Sequence, residues 1–181
     1  QIKRFHSFEP GTMDHAMYGA DILFGPEQMI RRFVKDSSFD QLICVAIAKH
    51  SDFKLEGIED KRTLLHARLI RDADKLDNCR VKLEESMETL LDMDEKTVGA
   101  SPISPKVWES CKAEESVLSA DRKTGMDYWM SYLALYFDIN FLETYQIIKE
   151  QDYIRRIAER VPYSREDTKE KAVSYTHLRA H

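Results

Sequence analysis

Residues 61–92 have the sequence KRTLLHARLIRDADKLDNCRVKLEESMETLLD, and this stretch decides the fold class. Its apolar residues recur at intervals of three and four, the period of an α-helix that packs one side against a core. The stretch therefore predicts one long helix, from about Lys61 to Asp92. The residues predicted to form its inner stripe are Leu65, Leu69, Ala73, Leu76 and Leu83.

Three shorter helices are predicted before this one, because the same spacing is present upstream. The first is capped by Thr12 and ends at Gly25, the second opens at Pro26, and the third is capped by Ser38. Residues 42–48, LICVAIA, are apolar on every side of a helix, and we expect them at the centre of the bundle. A buried strand is the alternative for so short an apolar run.

Residues 126–161 carry aromatic and aliphatic side chains at helical spacing, which predicts two core helices or one bent helix. Segments rich in polar residues or proline, at 51–60 and 99–105, predict loops. No segment alternates apolar and polar residues as a half-buried strand does. The chain is therefore predicted to be an all-α bundle of five to seven helices, without a sheet of three or more strands.

The helical pattern ends near residue 162. We predict one helical domain over residues 1–162 and a polar C-terminal tail over residues 163–181. From about Ser174 the tail resembles a translated cloning remnant more than native sequence. For that reason His177 and His181 are not treated as metal ligands.

The composition excludes several classes of protein. Hydrophobic residues make up 43% of the 181 residues and charged residues 33%, which is typical of a globular domain. The net charge is −5 and no basic block is present, so we expect no binding to nucleic acid. The longest apolar run has seven residues, far short of the roughly 20 that a membrane-spanning helix needs.

Cysteine usage indicates the compartment. Cys44, Cys79 and Cys111 are odd in number and form no CxxC pair, so neither a disulfide framework nor a zinc knuckle is predicted. Reduced thiols in the cytoplasm are the expectation. The sequence leaves a homo-oligomer open.

Candidate catalytic and metal-binding residues lie at helix ends and on one helix face. His15 falls in the first turn of the first helix, His50 ends the third, and Asp74 borders the core stripe of the long helix. Imidazole nitrogen and carboxylate oxygen are ligands of hard and borderline divalent metals. Asp72 projects towards Arg68 and is predicted to be an ordinary ion-pair partner. Each of these residues also fits a helix cap or a solvated face, so the residues alone leave both interpretations open.

Four blocks of sequence, taken in order, carry a resemblance to a known family. They are FHSF at 5–8, DHAMYGADILF at 14–24, AIAKHS at 46–51 and ARLIRDADKLDN at 67–78. Together they resemble the HD-domain superfamily of metal-dependent phosphohydrolases, whose fold is an all-α bundle. The last block is the strongest, because it resembles the family's final DADKLD segment.

The resemblance implies a metal site made from a His, an adjacent His-Asp pair and a distant Asp. Asp74 matches the distant Asp, and His15 and His50 match further histidines that bind a second metal or the substrate phosphate. The three are therefore expected to approach one cavity as metal ligands, with His15 and His50 also catalytic. The implied cofactor is a divalent ion, with Mn, Mg, Fe, Co and Zn not distinguished, and the implied partner is a small phosphorylated substrate. Lys75 and Arg71 are weaker candidates for phosphate contact, because helical geometry turns them away from Asp74.

Part of the family pattern has no match here. No His in the chain is followed by Asp, and the first His of the pattern is also unmatched. The chain begins at Gln1 and its first methionine is Met13, which favours sequence missing upstream; a member that has lost its site is the alternative. We expect a phosphohydrolase that is incomplete and inactive as residues 1–181. The alternative is a catalytically inactive helical module that acts by binding a partner.

Overall fold

In the computed structural model, which describes residues 14–177, the chain forms ten α-helices and four short 3₁₀ turns without a strand. The predicted all-α fold class is confirmed, and the strand alternative for residues 42–48 is wrong. The expected five to seven helices are too few, because turns break segments that the spacing predicted as single helices. Within residues 14–177 no helix combines the length and the apolar composition that crossing a membrane requires.

The chain divides into two compact units, Gln1–Arg71 and Asp72–His181. The boundary between the units falls inside one continuous helix. This division does not test the proposed domain over residues 1–162, which stays a prediction.

The first unit contains two complete helices and the beginning of a third. These are α1 (His15–Phe24), α2 (Asp40–Lys49) and α3 (Lys61–Glu84), with 3₁₀ turns at Met29–Arg32 and Ser37–Phe39. Asp14 caps α1, because its carboxylate accepts hydrogen bonds from the backbone N–H groups of Ala16 and Met17. The predicted cap, Thr12, lies outside the described residues. The predicted end of the helix at Gly25 is confirmed.

Small side chains bring α1 and α2 close together. Ala16 and Ala20 of α1 and Ala46 of α2 are buried. A Cβ atom added to Gly19 would lie 3.7 Å from Cγ2 of Ile47, an ordinary van der Waals distance. The packing of α1 on α2 places the first turn of α1 beside the last turn of α2.

Two predicted helix starts in the first unit are wrong. Pro26 is followed only by a 3₁₀ turn, and Phe33 beyond that turn is 74% exposed. Ser38 lies in the second 3₁₀ turn, which Asp36 caps, and α2 begins at Asp40. Residues such as proline and serine occur at the start of a single turn as well as at the start of a full helix. Their presence therefore did not distinguish a 3₁₀ turn from an α-helix.

Residues 42–48 are helical, but they are not buried on every side. Ala46 is buried, whereas Leu42, Ile43 and Ile47 are half-buried. The expectation that this helix is buried on every side is therefore wrong.

Three of the five residues predicted for the inner stripe of α3 are exposed. Leu65 and Leu69 are 51% and 54% exposed and Ala73 is exposed as well, whereas Leu76 and Leu83 are half-buried. The buried side chains of this helix are Ala67, Arg71, Asp72, Lys75 and Lys82. The helix also ends at Glu84 rather than near Asp92, because Ser86 starts a new helix by accepting a hydrogen bond from the Thr89 N–H.

The second unit continues α3 and adds seven helices. They are α4 (Met87–Leu91), α5 (Glu95–Ala100), α6 (Pro105–Lys112), α7 (Gly125–Ala134), α8 (Leu142–Glu150), α9 (Tyr153–Glu159) and α10 (Glu166–His177). The two remaining 3₁₀ turns are Ser119–Asp121 and Leu135–Asp138. Residues 126–161, predicted as two helices or one bent helix, thus lie in three helices.

Helix α7 provides much of the core of the second unit. Met126, Trp129, Met130 and Leu133 are fully buried on it. The Trp129 indole N–H also donates a hydrogen bond of 3.1 Å to the Ile157 carbonyl, so the one polar atom of the ring is satisfied. The prediction that Trp129 belongs to the core is confirmed.

The charged segment after residue 162, predicted as a polar C-terminal tail, contains a helix. Helix α10 buries Thr168, Ala172 and Tyr175, which are spaced four and three residues apart. The Tyr175 hydroxyl donates a hydrogen bond of 3.0 Å to the Leu133 carbonyl. A helix needs only one apolar side to pack, and three residues supply it here despite the many charges.

Lys82 is a buried ammonium group in an apolar part of the second unit. It is 7% exposed, and its Nζ lies 4.0 Å from the centre of the Tyr132 ring and 3.4 Å from Oδ1 of Asn78. The small cavity around it is also lined by Ile148 and Ile157. Loss of hydration on burial lowers the pKa of Lys82 below its ordinary value of 10.5.

We expect Lys82→Met to raise the free energy of unfolding by about 1 kcal/mol at pH 7, because an apolar side chain of similar length carries no desolvation cost. The gain should shrink as the pH rises from the lowered pKa of the folded chain towards 10.5, since the folded chain loses this proton first and its penalty with it. Urea denaturation followed by tryptophan fluorescence at several pH values checks both statements. A variant less stable than the wild type at pH 7 would show that the contact with Tyr132 outweighs the desolvation cost.

Candidate functional site

His15 and His50 meet in the first unit, although they are 35 residues apart in sequence. Their Nε2 atoms are 3.2 Å apart, and the two rings contact edge to face with centres separated by 5.0 Å. His15 is the first residue of α1 and His50 caps the C-terminal end of α2. The packing of these two helices therefore creates the pair. His15 is exposed and His50 half-buried, so the pair is accessible from solvent.

The ring of His50 is oriented by its own helix. Its Nδ1 lies 2.7 Å from the Ile47 carbonyl, which can only accept, so Nδ1 carries the proton. In the neutral ring Nε2 then has a free lone pair, which accepts a hydrogen bond from His15 in the tautomer of His15 that carries its proton on Nε2. The lone pair on Nε2 of His50 therefore points towards the ring of His15.

The backbone of His50 is held by a residue of α3. The guanidinium group of Arg71 donates 3.0 Å hydrogen bonds to the carbonyls of His50 and Phe53, and it also donates to the carbonyl of Asp52. Arg71 is 6% exposed. The sequence named Arg71 as a weaker candidate for contact with a substrate phosphate. That role does not fit these contacts, because the guanidinium group is buried among backbone carbonyls.

Asp74 belongs to the second unit and lies exposed on α3. Its carboxylate accepts a hydrogen bond of 3.2 Å from the Asn78 side chain, one turn further along the helix. Its predicted role as a metal ligand, and its approach to the histidine pair, stay predictions.

Asp72 does not make the predicted ion pair with Arg68. It is 1% exposed, and its carboxylate accepts hydrogen bonds of 2.8–3.1 Å from the backbone N–H groups of Asn140 and Phe141 and from the Asn140 side chain. Helical geometry placed Arg68 within reach, but a buried carboxylate is stabilised better by several fixed N–H donors than by one exposed cation.

Lys75, the other weaker candidate for phosphate contact, is also engaged in the second unit. It is 5% exposed, and its ammonium group forms a salt bridge of 2.7 Å with Asp138 and a hydrogen bond to the Asp138 carbonyl. Asp72 and Lys75 together hold residues 138–141, the connection into α8. Two of the charged residues in the DADKLD block thus have structural partners.

The sequence named Arg71 only as a weaker candidate for phosphate contact and did not predict its contacts with the backbone of residues 50–53. The signal that could have found them is the position of a charged residue on the side of α3 that turns away from solvent, where a cation needs several acceptors. The acceptors themselves, the carbonyls of residues 50–53, belong to a loop and carry no sequence signature.

Over residues 14–177 no group of three or more His, Cys, Asp or Glu side chains is arranged to hold a metal ion. Among these residues, no third His, Cys, Asp or Glu side chain is arranged with the histidine pair in this way. Comparison with protein-family models, with curated proteins and with solved structures found no match to this chain.

Proposed function

We propose that this chain is part of a metal-dependent phosphohydrolase that acts on a small phosphate ester or nucleotide, and that residues 1–181 carry an incomplete metal site. The observation that supports the proposal is the pair of Nε2 atoms of His15 and His50, 3.2 Å apart. The ordered resemblance of four sequence blocks to the HD-domain superfamily supports it independently.

The histidine pair fits a shared divalent ion. Two imidazole nitrogens that each lie about 2.1 Å from one ion at a near-tetrahedral angle are about 3.4 Å apart, close to the observed separation. His50 already presents the lone pair of Nε2, because its Nδ1–H is bonded to Ile47. His15 presents the same atom once its proton lies on Nδ1.

In this proposal His15 and His50 hold the ion through Nε2, and the resemblance to the family assigns Asp74, a hard oxygen donor, to the metal site. A bound divalent ion offsets the negative charge that develops on phosphoryl oxygens during hydrolysis. The two neutral imidazoles add affinity without adding negative charge, which keeps the site attractive to an anionic phosphate. The net charge of the whole chain, −5, does not favour the binding of an anion. The attraction for a phosphate must therefore come from the site itself.

Titration of residues 1–181 with Co²⁺, followed by visible absorption and calorimetry, tests the histidine pair. We expect one weak site, and we expect His15→Ala and His50→Ala each to weaken Co²⁺ binding by about tenfold or more, because each removes one of two nitrogen ligands. His66→Ala is the matched control, since His66 lies on α3 outside the pair.

Equal Co²⁺ affinity in the wild type and both pair variants would contradict the metal assignment. The catalytically inactive helical module would then be the better description of the chain. An effect of His66→Ala as large as that of His50→Ala would also contradict it, because the loss would not be specific to the pair.

A further inference from the structure

We infer that Arg71 is a positioning residue, which holds His50 in the geometry that lets it share a ligand with His15. The expected effect of Arg71 on metal binding rests on the proposed function. Its structural part, the placement of the imidazole by a distant guanidinium group, can be tested without any metal.

The guanidinium group of Arg71 organises the end of α2 and the residues after it. It donates to the carbonyls of His50, Asp52 and Phe53, and its hydrogen bonds to His50 and Phe53 are both 3.0 Å long. These carbonyls come from a segment of four residues that folds around one planar group. Residues 51–60 contain no helix, so the segment lacks a hydrogen-bond ladder of its own.

A helix C-terminus is a favourable place for this cation. The last carbonyls of a helix have no partner within the helix and carry the negative end of its dipole. Arginine suits the position better than lysine, because its rigid fork offers five donors in one plane and can bond several carbonyls at once. A buried guanidinium stays charged, so it needs these acceptors as much as they need it.

The other contacts of this segment are local, such as the 3.2 Å hydrogen bond from the Asp52 N–H to the Lys49 carbonyl and a side-chain ion pair. Lys49 and Asp52 form a salt bridge of 3.2 Å, but both side chains are 36% exposed. Exposed ion pairs three residues apart contribute little. Arg71, which is 6% exposed and donates to three carbonyls of residues 50–53, provides a buried restraint on the backbone of His50 from a distant helix.

The restraint acts on the ring through the backbone. The imidazole of His50 bonds the Ile47 carbonyl through Nδ1 and His15 through Nε2, and the two contacts are 2.7 and 3.2 Å. Both need the Cα of His50 to stay where the helix ends. Movement of residues 50–53 would turn the Nε2 lone pair away from His15.

Two variants of residues 1–181 test the inference, Arg71→Met and Arg71→Lys. In Arg71→Met we expect the nuclear Overhauser effect between the two imidazole rings to be lost and Co²⁺ affinity to fall by about tenfold or more, as for other residues that orient a ligand. In Arg71→Lys, which keeps the charge but not the fork, we expect an intermediate Co²⁺ affinity.

Asp60→Ala is the matched control, because it weakens the same unit at a place away from the pair. The Asp60 carboxylate accepts 2.7 Å hydrogen bonds from the Thr63 N–H and hydroxyl at the start of α3. We expect this variant to lose stability while it keeps the ring-to-ring Overhauser effect and the wild-type Co²⁺ affinity in its folded fraction.

The inference is overturned if both Arg71 variants keep the Overhauser effect between His15 and His50. It is also overturned if Asp60→Ala loses this effect to the same extent, since Arg71 would then be one stabilising residue among many. If the wild type binds no Co²⁺, the proposed function fails, while the Overhauser effect still decides the role of Arg71. If Arg71→Met does not fold, Arg71→Lys carries the test by the same two measurements.

Discussion

Asp72→Ala is expected to lower the free energy of unfolding of the second unit by about 3 kcal/mol, the largest loss of stability that we predict for a single residue of the DADKLD block. The Asp72 carboxylate is 1% exposed and accepts from three N–H donors, two on the backbone of Asn140 and Phe141 and one on the Asn140 side chain. Alanine leaves the two partly buried backbone donors without an acceptor. Asp72→Asn keeps the shape and one acceptor oxygen, so we expect about half of the loss.

Urea denaturation followed by tryptophan fluorescence measures the unfolding of the second unit, because both tryptophans, Trp108 and Trp129, belong to it. Asp77→Ala is the matched control: it removes a carboxylate from the same helix, but one that is exposed and that pairs, within residues 14–177, with Arg80 alone. We expect that control to change stability by less than about 0.5 kcal/mol. Equal stabilities of Asp72→Ala and the wild type would show that the contacts to residues 140–141 are not formed in solution.

Asp74→Ala is expected to abolish turnover in a longer chain that also supplies the first His and the His-Asp pair of the family pattern. Such a chain should hydrolyse p-nitrophenyl phosphate or a nucleotide when Mn²⁺, Mg²⁺, Fe²⁺ or Co²⁺ is present. Loss of a directly bound oxygen should lower kcat/KM by at least about 100-fold and remove metal from the purified protein, because a catalytic metal needs at least about three protein ligands. Residues 1–181 alone should show little or no turnover for the same reason.

Asp77→Ala serves as the control for this experiment too, because it lies three residues further along the same helix. Lys75→Ala is the less suitable control. Its ammonium group is buried against Asp138, so its loss should reduce stability as well as activity. Metal content by elemental analysis separates the two effects. If Asp74→Ala keeps the parental rate and the parental metal content, the phosphohydrolase proposal is wrong.

Asp72 and Asp74 show that residues of one short motif can have different structural roles. Both belong to one block, are two residues apart and carry the same carboxylate. The structure buries the first among the N–H donors of residues 140–141 and leaves the second exposed beside Asn78. Helical spacing places them on different faces, but it does not say which face meets a partner.

The site was predictable in part. The resemblance selected His15 and His50 from six histidines, and the structure brings these two together. Their 3.2 Å contact depends on small residues, Ala16 and Ala46 among them, that let two helices pack closely. The role of Arg71 was not predictable, because its partners are backbone carbonyls 18 to 21 residues earlier in the chain.

By itself the sequence determined that this protein is helical, because a period of three and four residues is a local property that each segment carries alone. It also gave the ends of two helices, at Gly25 and His50. Which face of each helix is buried depends instead on its tertiary contacts. In α3 these contacts cover Arg71, Asp72 and Lys75 and leave Leu65 and Leu69 exposed. The physical reason is that a charged group can be buried when distant segments supply its hydrogen-bond partners, and residues 50–53 and 138–141 supply them here.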